Sequence, residues 1–133
     1  MKSIITDTNG FLRFFLNDIP QQKVAFENLL KQAKKSRVKV IVPQIVVFEL
    51  NFILGKYYNF SKKAIVDKLK TITGSPYLSV WDRDAFSDAF NLYEKQNISL
   101  VDCFLIALSK REDADIFTFD KNLKKLVILT NKI

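Results

Sequence analysis

Apolar residues recur along the chain at two alternating periods. Ser3 to Thr6 is a short β-favouring run that ends at Asp7, and from Thr8 to Asn17 the period becomes helical, with Phe11, Leu12, Phe15 and Leu16 on one face. Pro20 suits the first turn of a second helix, which carries Val24, Phe26, Leu29 and Leu30 and ends among Lys34, Lys35 and Arg37. Val38 to Val42 predicts a second strand, closed by Pro43, and a third helix runs from there through Glu49 toward Lys56. Ser61 is placed to cap a helix over Lys62 to Thr73, and Gly74, Ser75 and Pro76 form a turn. Tyr77 to Trp81 predicts a third strand, and Asp82 can cap the helix that carries Phe86, Phe90 and Tyr93. Ser99 can cap a helix over Val101 to Lys110. Ile116 to Phe119 predicts a fourth strand, followed by a short helical turn at Leu123 and a last strand at Val127 to Leu129.

Short strands, apolar on both faces and alternating with helices, argue for a mainly parallel sheet covered on both sides. The expected architecture is α/β, a small doubly wound three-layer α/β/α sandwich. With 133 residues and neither a repeat nor a linker, the chain is expected to form a single domain, 1–133.

Composition narrows the chemistry. The chain has no histidine, which removes the Ser-His-Asp and Cys-His mechanisms and any histidine acid–base ribonuclease chemistry. Cys103 is the only cysteine, so one chain can form neither a disulfide nor a thiolate zinc site. Hydrolysis would have to rest on carboxylates, lysines, tyrosines or a metal. The 21 basic residues outnumber the 14 acidic ones for a net charge of +7, which favours an anionic partner such as nucleic acid, although surface lysines can equally serve solubility. The apolar run at the N-terminus is too short for a signal peptide, and none elsewhere is long enough to span a bilayer, so a soluble cytoplasmic setting with no membrane contact is expected.

Ligands of open parallel sheets bind beyond the carboxyl ends of the strands. Asp7 falls just past the first strand and Asp120 just past the fourth, while Glu49 lies about two turns into the helix that leaves the second. Asp102 sits in the first turn of the helix leading to the fourth strand, and connectivity alone does not bring it to this edge. Carboxylates that converge repel one another unless a divalent cation joins them, and hard oxygen donors favour Mg²⁺ or Mn²⁺. Each acid also has a plainer role. Asp7 can cap the helix at Thr8, Asp102 can complement a helix dipole, and Asp120 can belong to a turn. Glu49 is the hardest to dismiss, because a glutamate within IVVFELNFIL is costly to bury without a partner. Asp115 precedes its strand, at the wrong edge, and is left out, while Asp82 follows the third strand and could approach the site but reads more readily as a cap. Thr118 can support Asp120 or serve only as a β-former. Of two basic clusters, only Lys121, Lys124 and Lys125 lies near these acids. The other, Lys31 to Lys39, reads as a solvated face.

The segments IITDTNGFLRFFLND, PQIVVFELNFIL, SLVDCFLIALSKRED and ADIFTFDKNLKKL resemble, in order, the four motifs of the PIN-domain family, and in particular its VapC-like toxin branch. The resemblance covers nearly the whole chain. It implies that Asp7, Glu49, Asp102 and Asp120 form a four-acid metal site supported by Thr8 and Asn9, and that Asp102 does reach it. It also implies Mg²⁺ or Mn²⁺ dependence and cleavage of single-stranded RNA. From the toxin branch it implies a homodimer and a cognate antitoxin. A PIN nuclease of RNA maturation fits the same motifs. A phosphoacceptor receiver domain would need paired acids after the first strand, where TDTN offers one, and would leave Glu49 without a role. A nucleic-acid-binding domain without catalysis is disfavoured because bare carboxylates repel phosphate.

Overall fold

A computed structural model of the protein describes the backbone of residues 1–131 and the side-chain environments of residues 1–128. Its Cα positions group into two compact units, Met1–Arg83 and Asp84–Ile133.

The first unit holds a parallel sheet of three strands, β1 (Lys2–Ile5), β2 (Val38–Val42) and β3 (Leu78–Val80), in the order β1-β2-β3. Lys2 pairs with Val38 and Ile5 with Ile41, while Val40 pairs with Leu78 and Val42 with Val80. Two helices, α1 (Thr8–Leu16) and α2 (Pro20–Lys34), join β1 to β2, and two more, α3 (Gln44–Lys56) and α4 (Lys62–Thr73), join β2 to β3. The helix boundaries follow local chemistry. Asp7 caps α1, Pro20 occupies the first turn of α2, and the Ser61 hydroxyl accepts the Ala64 amide at the start of α4. Asn17 closes α1 in the left-handed conformation with φ 54°, which asparagine tolerates better than most residues. The core gathers Val40 and Val42 from the central strand with Val47, Leu50 and Leu54 of α3 and Val66 and Leu69 of α4, all at or near zero exposure. Full burial of each such side chain is worth about 1.5–3 kcal/mol.

Gly10 is fixed by packing. A Cβ there would lie 2.8 Å from the Phe26 ring and 3.2 Å from the Thr6 hydroxyl. The absence of a side chain lets α1 lie close against Phe26 of α2, whose ring meets Phe11 edge-on at 4.9 Å.

The second unit is helical, with α5 (Arg83–Lys95) starting at its boundary, then α6 (Leu100–Arg111) and α7 (Lys121–Asn131). Phe86 stacks on Phe104 at 4.4 Å and on Phe90 at 5.9 Å. Ile106, Leu123 and Leu126 form a second cluster, with Leu92, Ile98, Ile116 and Val127 packed against it.

The chain is thus α/β with a parallel sheet, as the sequence predicts. The strand order runs one way from β1, which is the arrangement of one half of a doubly wound sheet. The expected fourth and last strands are corrected. Ile116 to Phe119 alternates in exposure like a strand but pairs with no neighbour among the described residues, and Phe117 and Phe119 are exposed. Val127 to Leu129 lies inside α7, where Leu123, Leu126 and Val127 follow helical spacing. No helix of the described residues is long and apolar enough to cross a membrane.

Candidate active site

The carboxyl ends of β1 and β2 open onto a cleft of about 490 Å³. Its walls come from the β1–α1 turn, with Thr6, Asp7, Thr8 and Asn9, and from the start of α3, with Pro43, Ile45 and Glu49. Asp7 and Glu49 are therefore brought to one cleft by parallel strands that stand side by side. Thr8 and Asn9, expected to support the site, line the same walls.

Asp7 Oδ1 accepts the Gly10 backbone N–H at 3.0 Å, so the capping role weighed for it is real. Its other oxygen has no protein partner among the described residues and remains available to a ligand. The buried Thr6 donates its hydroxyl to the Asp7 carbonyl at 3.3 Å and ties the turn together. Glu49 projects from α3 one turn beyond Ile45 and is exposed. The expectation that it would carry a burial cost is corrected, because it lies on the solvent side of α3 while Val46, Val47 and Leu50 take the core.

The other two acids belong to the second unit. Asp102 is half-buried in the first turn of α6, with its backbone N–H donated to the Ser99 hydroxyl at 3.1 Å. Asp120 precedes α7, and its Oδ1 accepts the amides of Asn122 at 2.8 Å and Leu123 at 3.0 Å. Thr118 supports it, since the Thr118 hydroxyl accepts the Asp120 backbone N–H at 3.0 Å. Asp7 and Asp120 share one arrangement, in which a single carboxylate oxygen holds a helix start while the second is left out of it. Asp115 is exposed in the segment after α6 and takes no part in these contacts.

Asp82, expected as a cap, has a long-range partner. It takes the left-handed conformation with φ 57°, and its carboxylate accepts the Gln44 side-chain amide at 2.7 Å. Gln44 stands between Pro43 and Ile45, both in the cleft wall, so this pair braces the start of α3 against the end of β3. The sequence offered no signal for it, because Gln44 and Asp82 lie far apart in the chain. Arg83 then fastens the preceding turn by donating to the Thr73 and Leu78 carbonyls.

The donors in the cleft are carboxylate, hydroxyl and amide oxygens, with no nitrogen or sulfur ligand among them. That set fits a hard divalent cation. Among the described residues no three Asp, Glu or Cys side chains are gathered into a complete cage. Mg²⁺ is commonly held by only one or two carboxylates together with waters and substrate phosphates, so Asp7 and Glu49 suffice as a foothold.

Comparison with known proteins adds an independent line. The PIN domain family model matches residues 4–129 of the chain. A VapC ribonuclease of Aquifex aeolicus (strain VF5) is 24% identical over 124 residues, covering 92% of this chain and 90% of that protein.

Proposed function

The chain belongs to the PIN-domain family, and from that premise we propose that it is a divalent-metal-dependent endoribonuclease, the toxin of a toxin–antitoxin pair. The observation that carries this reading is the pairing of Asp7 and Glu49 across one open cleft at the carboxyl edge of the sheet. The relative named as a ribonuclease supports RNA as the substrate, and the excess of basic residues agrees with a polyanion. In this reading Asp7, Glu49, Asp102 and Asp120 hold one or two Mg²⁺ or Mn²⁺ ions, and a homodimer and a cognate antitoxin come with the toxin role.

A bound divalent cation supplies a lowered pKa for water and neutralises charge on the phosphodiester. The chain's own residues do the rest. The Gly10 amide holds one oxygen of the Asp7 carboxylate and leaves the second for a ligand. Thr118 and the first amides of α7 hold Asp120 in the same manner. Glu49 approaches from α3, whose start is steadied by Gln44 and Asp82. Carboxylates held this way need little reordering when substrate arrives, which is the advantage of preorganised charge.

The test is metal removal. RNA cleavage is expected to stop in excess EDTA and to return on adding Mg²⁺ or Mn²⁺. Undiminished cleavage after verified metal removal would count decisively against the reading.

A further inference from the structure

At the opposite end of β2 from the acidic cleft lies a basic surface that the proposed chemistry does not use. Lys31, Lys34, Lys35, Arg37 and Lys39 follow one another with no acidic residue between them, and all five are exposed. None of them is in an ion pair among the described residues. The turn that displays them is well fixed. Ser36 takes the left-handed conformation with φ 59°, its amide donates to Ala33 at 3.0 Å, and the Arg37 amide donates to Gln32 at 3.0 Å. A cleft of about 370 Å³ opens beside the turn, with Lys34, Ser36, Lys39 and Tyr77 in its walls and Lys34 Nζ 5.5 Å from the centre of the Tyr77 ring.

The dipole at the end of α2 accounts for Lys31 and Lys34, which lie in its last turn. It does not account for Arg37 and Lys39, which lie beyond the helix. The charge is also uneven over the molecule. Residues Met1–Arg83 hold 14 of the 21 basic residues and 6 of the 14 acidic ones, a net +8, which leaves −1 for the remainder.

We propose that the α2–β2 turn and the cleft beside it bind the backbone of single-stranded RNA at a site separate from the acidic cleft. This rests on the nuclease reading, and it supplies what that reading lacks. Asp7 and Glu49 repel a phosphodiester until a cation is present, so affinity for RNA has to come from elsewhere on the protein. Unpaired cations beside an aromatic ring are the usual means of holding a single strand without sequence preference. From Lys39 to Pro43 the chain rises ~13 Å along β2. RNA has to pass round this buried strand, so about four phosphates of a stacked strand is the least that spans the two sites. Substrates shorter than this reach only the acidic cleft.

The experiment uses the full chain in EDTA, a fluorescent oligouridine long enough to span both sites, and a series of KCl concentrations. The triple variant Lys34→Gln, Lys35→Gln, Lys39→Gln is compared with wild type, after its melting curve has shown that the exposed substitutions leave the fold intact. The salt slope is expected to fall by about 2, because each single-strand phosphate contact contributes about 0.7, with roughly a tenfold loss of affinity at low salt. In Mg²⁺, cleavage of the long RNA should show a raised KM, and cleavage of a trinucleotide-length substrate should be unchanged. An unaltered slope and affinity overturn the proposal, as does loss of binding to polyglutamate with RNA binding intact, which would assign the surface to an acidic protein. Binding in EDTA does not require catalysis, so a chain that cuts nothing but loses its salt slope sinks the nuclease reading and leaves the RNA surface standing.

Discussion

At Asp7, the proposed site divides two roles between the two oxygens of one carboxylate. Oδ1 holds the Gly10 amide, and the second oxygen is left for a ligand. Asp120 repeats the arrangement at Asn122 and Leu123. Because asparagine is as good an N-cap as aspartate and alanine is poor, substitution separates the two roles. Asp7→Asn should abolish cleavage with stability nearly unchanged, since it removes the charge and keeps the cap. Asp7→Ala should abolish cleavage and also destabilise the fold by about 0.5–2 kcal/mol, the usual worth of a cap. Cleavage assays paired with denaturant melts of both variants decide the matter. Wild-type turnover by Asp7→Asn at saturating metal would remove Asp7 from the site, and equal stability of the two variants would remove the capping role. Asp102→Asn should lose activity in the same way, with no cap to lose.

Among the elements, those marked by stereochemically distinctive residues were legible in the sequence. Pro20 marks a helix start because it has no N–H to donate, Ser61 and Ser99 because their hydroxyls accept a first-turn amide, and the structure begins α2, α4 and α6 at those points. β2 was legible because a β-branched run closes at Pro43. The last two strands were not, for different reasons. Three apolar residues such as Val127 to Leu129 cannot fix a period, and the contacts of Leu123 and Leu126 decide for helix. Ile116 to Phe119 has the composition of a strand, but a strand also needs a partner ladder, which composition does not report. The positions of Asp7 and Glu49 past the first two strands do lead both to one cleft, whereas the Gln44–Asp82 brace was not legible, because a long-range side-chain contact leaves no periodic trace. One packing constraint yields an element-scale prediction. Gly10→Ala sets a methyl group 2.8 Å from the Phe26 ring, so α1 and α2 must part or Phe26 must turn away from Phe11. The cost should be about 1–3 kcal/mol, as for overpacked cores. A lower denaturation midpoint with an unchanged m-value would bear this out, and a midpoint equal to wild type would show that the ring yields freely.

For the whole molecule, the toxin reading requires a surface on which an antitoxin can act, and we propose α1 for it. Phe11, Phe14 and Phe15 of α1, with Leu30, Ile72 and Tyr77, line an apolar pocket of about 110 Å³. The N-terminus of the same helix is the Asp7 cap at the acidic cleft. Nine residues of α1 span ~13 Å at 1.5 Å per residue. An extended tail lying along the helix therefore reaches both places, with an apolar side chain in the pocket and an Arg or Lys at Asp7 and Glu49. Such a tail would replace or displace the metal and compete with the phosphodiester for one cleft. If it binds only the folded chain, it also raises apparent stability, by about 2.7 kcal/mol at a hundredfold excess over Kd. The prediction is that expressing the chain alone arrests growth and that co-expressing the neighbouring small open reading frame relieves it. The purified complex should melt higher and leave RNA intact. Phe14→Glu should weaken the complex while the free chain cleaves RNA at its usual rate, because Phe14 lines the apolar pocket and not the acidic cleft. A tight complex that cleaves RNA as fast as the free chain would rule out this mode of inhibition. Soluble, active protein that causes no arrest would move the assignment from toxin to RNA maturation.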